Sequence, residues 1–418
     1  MGRVNTVESI IAKPIEQRTL VPMLNAQNNV ETTRAELADN DTVTDFDPHD
    51  HADRIPGMGR QQLEENYRGL IRAQAIYYPV AYLFQREVGR GRQGVVFQAM
   101  RQGARGCITR HAIKLFDPSI YPNAKKYWTD MGRMAIQTSR LQPIRSPNLV
   151  ARDVYEESNG IGYVQMELID GIDVQHLNQP DHLEVARRRS SPAEWAQFTD
   201  IVFRMEQDRV RIQTGVALYL LRQILRGLES LHDLGFLHSD IKPANVMVDR
   251  LGYAKLVDYG RAVRINEKTG FLFGSPLYMA PEIHRREPGT IQSDLYSVGL
   301  VGLEMLRGEP MVDYSHMTET DLYQFKLELL KHLPGMLPSH VAKNEHLVYL
   351  LQRFLNPNPD CRFHSAQEAE SGQEGLAVVH KQLALLGKDT EYGRELGRYL
   401  AKLVDPRTDQ IIVGESQP

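Results

Sequence analysis

The apolar positions of this chain change their period along its length. Residues 60–76 (RQQLEENYRGLIRAQAI) place Leu63, Tyr67, Leu70 and Ile71 at helical spacing, which predicts a helix within 59–79 leading into the next segment. From about residue 80 the pattern is that of strands. YLFQREVGRG and GVVFQAMR read as two strands joined by a glycine turn, RHAIKLF as a third, and GIGYVQMELID (160–170) as a buried strand running into a turn. ALYLLRQILRGLESLHDLG returns to the helical period and ends at Gly235, a suitable C′ glycine. The rest is mainly helical, so strands first and helices later predict a two-lobed α+β protein rather than alternating βαβ units. In SSPAEWAQFTDIVFRMEQDRVRIQ, Ser191 as N-cap, Pro192 at the first helical position and Glu194 three residues past the cap form a capping box, which predicts a helix over 191–213. GLAVVHKQLALLG and YGRELGRYLAKLV, within a C-terminal extension of 376–418, have helical apolar spacing suited to packing.

Composition narrows the picture. At 418 residues, 42% hydrophobic and 24% charged, the chain has the make-up of a soluble globular protein. A net charge of −4 provides no basic field for nucleic acid or an anionic membrane. Two cysteines, Cys107 and Cys361, cannot build a disulfide framework, which suits a reducing cytoplasmic compartment. No apolar run approaches the length of about 18 residues that a membrane span needs. The N-terminus has no apolar signal core. MGRVNT matches an acylation pattern only through Gly2 and Thr6, and is read as a chance match. Residues 1–58 read as a weakly ordered extension. Its DNDTVTDFDPHDHAD stretch is a solvated acidic linker whose His and Asp residues lack metal-ligand spacing.

The chemistry lies in three stretches. In EVGRGRQGVVF, Gly89, Gly91 and Gly94 form G-x-G-x-x-G, a pattern that lets backbone N–H groups approach phosphate. A strand follows it, not a helix, which argues against a dinucleotide-binding turn. Lys114 sits in the apolar strand HAIKLF, one hairpin beyond Gly94. It either snorkels to water or reaches phosphates held by the glycine loop. HSDIKPANVMVD (238–249) crowds polar groups between apolar flanks. Asn245 and, further on, Asp258 can give Mg²⁺ two oxygen ligands, the rest coming from phosphates and water. Asp240 can accept a hydroxyl proton, and Lys242 can neutralise a transferring phosphoryl group.

Over about residues 80–375 this series resembles the eukaryotic-type protein kinases. It has the Gly-rich loop, A-I-K, H-x-D-x-K-P-x-N, D-Y-G (258–260) for the usual D-F-G, APE (280–282), SDLYSVG (293–299) and DCRF (360–363) in the family's order and spacing. The resemblance implies a bilobal fold with a small β-rich N-lobe (80–168), a larger helical C-lobe (169–375) and an ATP cleft between them. It implies an ATP- and Mg²⁺-dependent transfer of the γ-phosphate to Ser/Thr hydroxyls of protein substrates, Lys242 and Ser275 matching the Ser/Thr type. Val88, Val96 and Ala112 would roof the adenine, with Met247 beneath. Met166 would be the gatekeeper, the backbone of Glu167 and Ile169 the hinge, and Asp173 would lie near the ribose. Lys114 would hold the α- and β-phosphates. Glu282 and Arg362 would form a structural ion pair, and Asp294 would hold the catalytic-loop backbone. Ala244 stands where an acid often reads basic substrates, so no basic recognition sequence is implied.

Three departures qualify the resemblance. Ser239 replaces the Arg that normally receives an activation-loop phosphate, and Phe271 occupies the usual phosphosite, with Thr269 nearby. Together they imply a kinase not switched by loop phosphorylation. Counting back from SPNLV (146–150) puts Gln137 where the lysine's glutamate partner belongs. No Glu lies between Lys114 and Val150, so Gln137, or Asp130 two turns earlier, is expected to face Lys114. Lys114 and Asp240 are 126 residues apart, and the excess falls in 174–214, a helical insertion that, like the N-terminal extension, is a candidate partner surface. Gln137 and Ser239 support one alternative, a pseudokinase serving as a nucleotide-binding or scaffolding module; a second, a small-molecule kinase of similar fold, is disfavoured by the APE segment, which in the family shapes a protein-substrate groove.

Overall fold

The helical stripe at 60–76 and the strands after it form one lobe. The computed structural model describes residues 58–206, 209–267, 274–312, 316–383, 392–405 and 410–411. The expectations for Gly2, Thr6, the acidic linker, Thr269 and Phe271 lie outside the described residues. Helix α1 (Arg60–Ala73) buries Leu63, Tyr67 and Leu70. Strands β1 (Ala75–Ile76), β2 (Tyr82–Gly91), β3 (Gly94–Gln102), β4 (Ile108–Phe116), β5 (Arg152–Ser158) and β6 (Ile161–Met166) make one antiparallel sheet in the order β1-β2-β3-β4-β6-β5. Helix α2 (Ala124–Leu141) joins β4 to β5, with the Asn123 side chain accepting from the Lys126 N–H at its start. β5 is not evident in the sequence because RDVYEES has no alternation of apolar residues, and only its end residues are fully buried.

The second lobe is built on two buried helices. α5 (Thr214–His232) and α7 (Ile291–Arg307) carry all of their own leucines inward. Short strands β7 (Gly171–Asp173), β11 (Val246–Asp249) and β12 (Ala254–Leu256) form a three-stranded sheet, and β10 (Phe236–Leu237) pairs with β13 (Val263–Arg264). α6 (Pro281–His284), α8 (Glu319–Met336), α9 (Ser339–Ala342), α10 (Glu345–Phe354), α11 (Ala366–Ser371) and α12 (Leu376–Leu383) complete this lobe. Each lobe has its own hydrophobic cluster, and Met166 packs against both. The mixed α+β, two-lobed expectation therefore holds. No described helix is long and apolar enough to cross a membrane.

The insertion differs from its prediction. Its capping box is present, with the Ser191 hydroxyl accepting from Glu194 N–H at 3.3 Å and Glu194 accepting from Ser191 N–H at 2.9 Å. Helix α3 (Pro180–Arg188) precedes it, but the capped helix α4 stops at Ile201 (Pro192–Ile201). Residues 203–205 and 210–212 then form a hairpin, β8 (Phe203–Met205) and β9 (Val210–Ile212). The reason is a local change of period. Phe203 and Ile212 are paired and buried, the flanking Arg204 and Arg211 are paired next to them, and the β-branched Val210 and Ile212 favour a pleated strand.

The tail closes over this insertion. Helix α13 (Tyr392–Leu403) places Tyr399, 0% exposed, with its ring edge-on to Phe198 and Phe203 at 5.9 and 4.8 Å. The Tyr399 hydroxyl donates to the Leu177 carbonyl at 2.9 Å, Lys402 pairs with Glu194 at 2.8 Å, and Arg189 donates to the carbonyls of Lys402 and Val404. The packing expected of the tail is present, and it involves the extra residues. Tyr399→Ala should therefore cost about 3–5 kcal/mol, read as a lower urea midpoint. An unchanged midpoint would show that α13 does not dock.

Candidate active site

The glycine turn and the strand lysine meet through sheet register. Gly91 pairs with Gly94 and Gly89 with Val96 across β2 and β3, and Val96 in turn faces Lys114 across β3 and β4. Gly94 has a φ of +146°, and a Cβ there would collide with the Leu115 carbonyl, so only glycine closes this hairpin over β4. Nothing lies within 4 Å of a Cβ built on Gly89 or Gly91, so the hairpin is uncrowded at both glycines. Ala112 pairs with Met166 across β4 and β6, and Met247 pairs with Asp173 across β11 and β7. Val88 and Val96 are half-buried on β2 and β3. Val96, Ala112 and Lys114 thus share neighbouring strands of the first lobe, while Met247 and Asp173 are paired in the second.

Some of these groups already have partners. Glu167 N–H donates to the Ala151 carbonyl at 2.9 Å, and its carboxylate pairs with Lys255 at 2.5 Å. The Asp173 carboxylate accepts from the backbone N–H of His176 at 3.0 Å and meets its Nδ1 at 2.7 Å. Ile169 packs against the core of the second lobe.

The stretch 238–249 forms a loop held from below. The Asp294 carboxylate, in the first turn of α7, accepts the backbone N–H of His238 at 2.8 Å, that of Ser239 at 2.9 Å, and meets His232 Nε2 at 2.9 Å. Burial opposes its ionisation. The His232 imidazole and the two N–H donors outweigh that and hold its pKa below the ordinary aspartate value. Above this support, Asp240 Oδ2 accepts from Lys242 at 2.9 Å and from Asn245 at 3.1 Å, while Oδ1 accepts the Ser275 N–H at 2.9 Å. Lys242 also reaches the Ser275 hydroxyl at 3.1 Å. Gly274, with a φ of +101°, lets the returning segment pass the Ser239 carbonyl without a Cβ.

Asn245 and Asp258 fit the metal their residue types suggest. The Asn245 Nδ2 is committed to the carbonyl and carboxylate of Asp240, which leaves its Oδ1 as the side chain's oxygen donor. The Asn245 carbonyl accepts the Val257 N–H at 3.0 Å, which ties it to the residue before Asp258. Among the described residues no group of three or more His, Cys, Asp or Glu is placed to hold a metal. A hard cation with few protein ligands and the rest from phosphate and water matches this donor set. Burial works against the charge of Asp258, but the Lys114 ammonium beside it prevails and holds the carboxyl below its ordinary pKa.

The expectation for helix α2 needs correction. Lys114 pairs with Asp258 and donates to Gln93 Oε1, at the tip of the glycine hairpin, at 3.3 Å. The Gln137 amide donates instead to the Ala262 carbonyl, and Asp130 accepts from the Tyr121 hydroxyl at 2.5 Å. An uncharged amide cannot compete with the Asp258 carboxylate for an ammonium, whereas it suits a carbonyl acceptor. Gln93 was not singled out in the sequence. A glutamine in a glycine-rich turn has no signature, and its role depends on the hairpin folding over β4.

A second residue was also missed. Arg152, at the start of β5, is 5% exposed, and its guanidinium lies 5.4 Å from the centroid of the Tyr259 ring. Among the described residues its guanidinium makes one hydrogen bond, a 3.5 Å contact to Met134 Sδ, and its Nε and Nη1 find no partner. Burial lowers its pKa, opposed by Tyr259 and Asp258. A buried cation without a carboxylate is a cost to stability. Arg152→Met should raise the unfolding free energy by about 1 kcal/mol or more, measured by urea denaturation. A destabilised variant would show that the guanidinium is compensated.

Comparison with known proteins adds a lineage. Residues 82–371 match the family described as protein kinase domain. The chain is 26% identical over 241 residues to a probable serine/threonine-protein kinase, pknA2, of Bifidobacterium longum, covering 56% of this chain and 27% of that protein. It is 25% identical over 276 residues to a probable serine/threonine-protein kinase, PknB, of Lactococcus lactis, covering 65% and 37%. It is 26% identical over 343 residues to the serine/threonine-protein kinase PknE of Mycobacterium bovis, covering 81% and 52%. The chain therefore spans between 27% and 52% of the length of these relatives.

Proposed function

The chain belongs to the protein kinase domain family, and from that premise we propose that it transfers the γ-phosphate of ATP, with Mg²⁺, to Ser/Thr hydroxyls of protein substrates. The observation that carries this reading is the Asp240 carboxylate, aligned by Lys242, Asn245 and the Ser275 N–H.

In this mechanism Asp240 accepts the proton of the acceptor hydroxyl as the oxygen–phosphorus bond forms and the bond to the leaving diphosphate breaks. Lys242, already beside Asp240, offsets the charge on the transferring group. Lys114 exchanges Asp258 and Gln93 for the phosphates, and the uncrowded backbone at Gly89 and Gly91 admits them close to its N–H groups. Asn245 and Asp258 would hold the metal, which when bound neutralises phosphate charge. The alternative, a nucleotide-binding scaffold without transfer, draws support from Gln137 lying on Ala262 rather than on Lys114. The assembled Asp240 cluster weighs against it, because a scaffold needs no aligned base.

Independence from loop phosphorylation belongs to the same proposal. Ser239 lines one cavity with Glu267, Glu287 and Arg286; Arg286 is paired with Glu319 at 3.1 Å, and Glu287 holds Arg285 at 2.7 Å. With both guanidiniums already engaged by carboxylates, this surface offers a poor receptor for a phosphate.

Asp258→Ala and Lys114→Met should each lower turnover by about 10²-fold or more while remaining cooperatively folded. Wild-type turnover in a folded Asp258→Ala protein would overturn the metal assignment. Phosphatase treatment and Thr269→Ala should leave the rate unchanged. A large loss restored by Thr269→Glu would overturn phosphorylation independence.

A further inference from the structure

A groove of about 490 Å³ opens beside the Asp240 cluster, with Lys242 and Ser275 on its edge. Its apolar lining is Val174, Ile212, Ala244, Leu277, Met305 and Pro310. Ile212 belongs to hairpin β8–β9, so the extra residues of this chain form part of the wall. The hairpin is fixed there, since Asn178 donates to the Val210 carbonyl at 2.8 Å and Arg211 to the Arg307 carbonyl at 2.8 Å. The opposite wall is fixed as well, because the buried Lys326 donates to the Pro276 carbonyl at 2.6 Å.

The charge of the groove decides what it can hold. Two carboxylates line it, and both are engaged from within the protein. Glu309 is paired with Arg209 at 2.6 Å and with Arg307 at 3.0 Å. Glu304 accepts the Tyr278 hydroxyl at 2.6 Å, and burial raises its pKa against that bond and against Arg307. A lysine or arginine entering the groove would be desolvated without an unengaged carboxylate to receive it. An aliphatic side chain would meet an apolar floor and lose only water.

We propose that this groove is a specificity subsite that selects substrate segments carrying a bulky aliphatic residue near the acceptor hydroxyl, and rejects basic ones. The proposal rests on the phosphotransfer reading only in that the groove opens at Asp240. The occupant is the substrate chain itself, because the groove is continuous with the residues that hold the proposed base.

The test uses the full chain and a positional peptide library around one Ser/Thr, with two readouts: anisotropy of labelled peptides for binding, and phosphate incorporation. At one flanking position Leu, Ile, Met and Val should exceed Lys and Arg by about tenfold in both. Gln175→Glu adds a carboxylate at the exposed rim and should narrow that ratio about threefold, with the KM for ATP unchanged. Aliphatic selectivity in binding without phosphate incorporation would uphold the subsite and overturn the transfer reading. Phosphate incorporation with a flat or basic profile would overturn the subsite and uphold transfer. A ratio unmoved by Gln175→Glu would place the selective contact outside this groove and overturn the assignment.

Discussion

The buried carboxylate of Asp294 is the constraint on which the rest of the site depends. It receives two consecutive backbone N–H groups of the catalytic loop and the imidazole of His232, so α5, α7 and the loop share one anchor. Ser293, its neighbour, donates to Glu282 at 2.8 Å, and Glu282 pairs with the fully buried Arg362 at 2.7 and 2.9 Å. The loop, the segment ending in APE and the C-terminal part of the lobe are thereby joined through buried charges that are each hydrogen-bonded. Removing one member of such a pair leaves the other uncompensated, at a cost of about 3–5 kcal/mol. The position of Asp240 is thus set by the core and not by the loop alone.

Above that anchor, charge is distributed unusually around Lys114. Helix α2 brings no carboxylate to it, and the ammonium relies on Asp258. Gln137 ties α2 to the segment after D-Y-G through Ala262, and Arg152 stacks on Tyr259 within the same region. A buried guanidinium thus stands close to D-Y-G. The second link between α2 and this segment is packing of Met134 against Arg152 and Gly260, where a Cβ would come within 3.1 Å of both Met134 Sδ and Arg152 Nη2.

Features encoded in contiguous residues were legible in the sequence. The glycine hairpin, the Lys114 strand, the capping box at Ser191 and the polar loop at 238–249 depend on local spacing, and the structure has them in those places. The second half of the 191–213 segment was misread, because a capping box says where a helix starts and not where it ends. Phe203 and Ile212 pair across a turn, a contact that helical periodicity does not reveal. The partners of Gln137 and Lys114 were also not legible, since they depend on how α2 meets D-Y-G through space. Arg152 and Gln93 gave no signal, being ordinary residues whose roles come from burial and register.

The most direct test is mass spectrometry of a Ser/Thr peptide substrate, and of the chain itself, after incubation with Mg·ATP, using the wild type and Asp240→Asn. The account predicts phosphate on Ser or Thr with the wild type and none with the variant, both proteins keeping the same thermal transition. Equal phosphate incorporation by the two proteins, or none by a wild type that binds ATP, would contradict it.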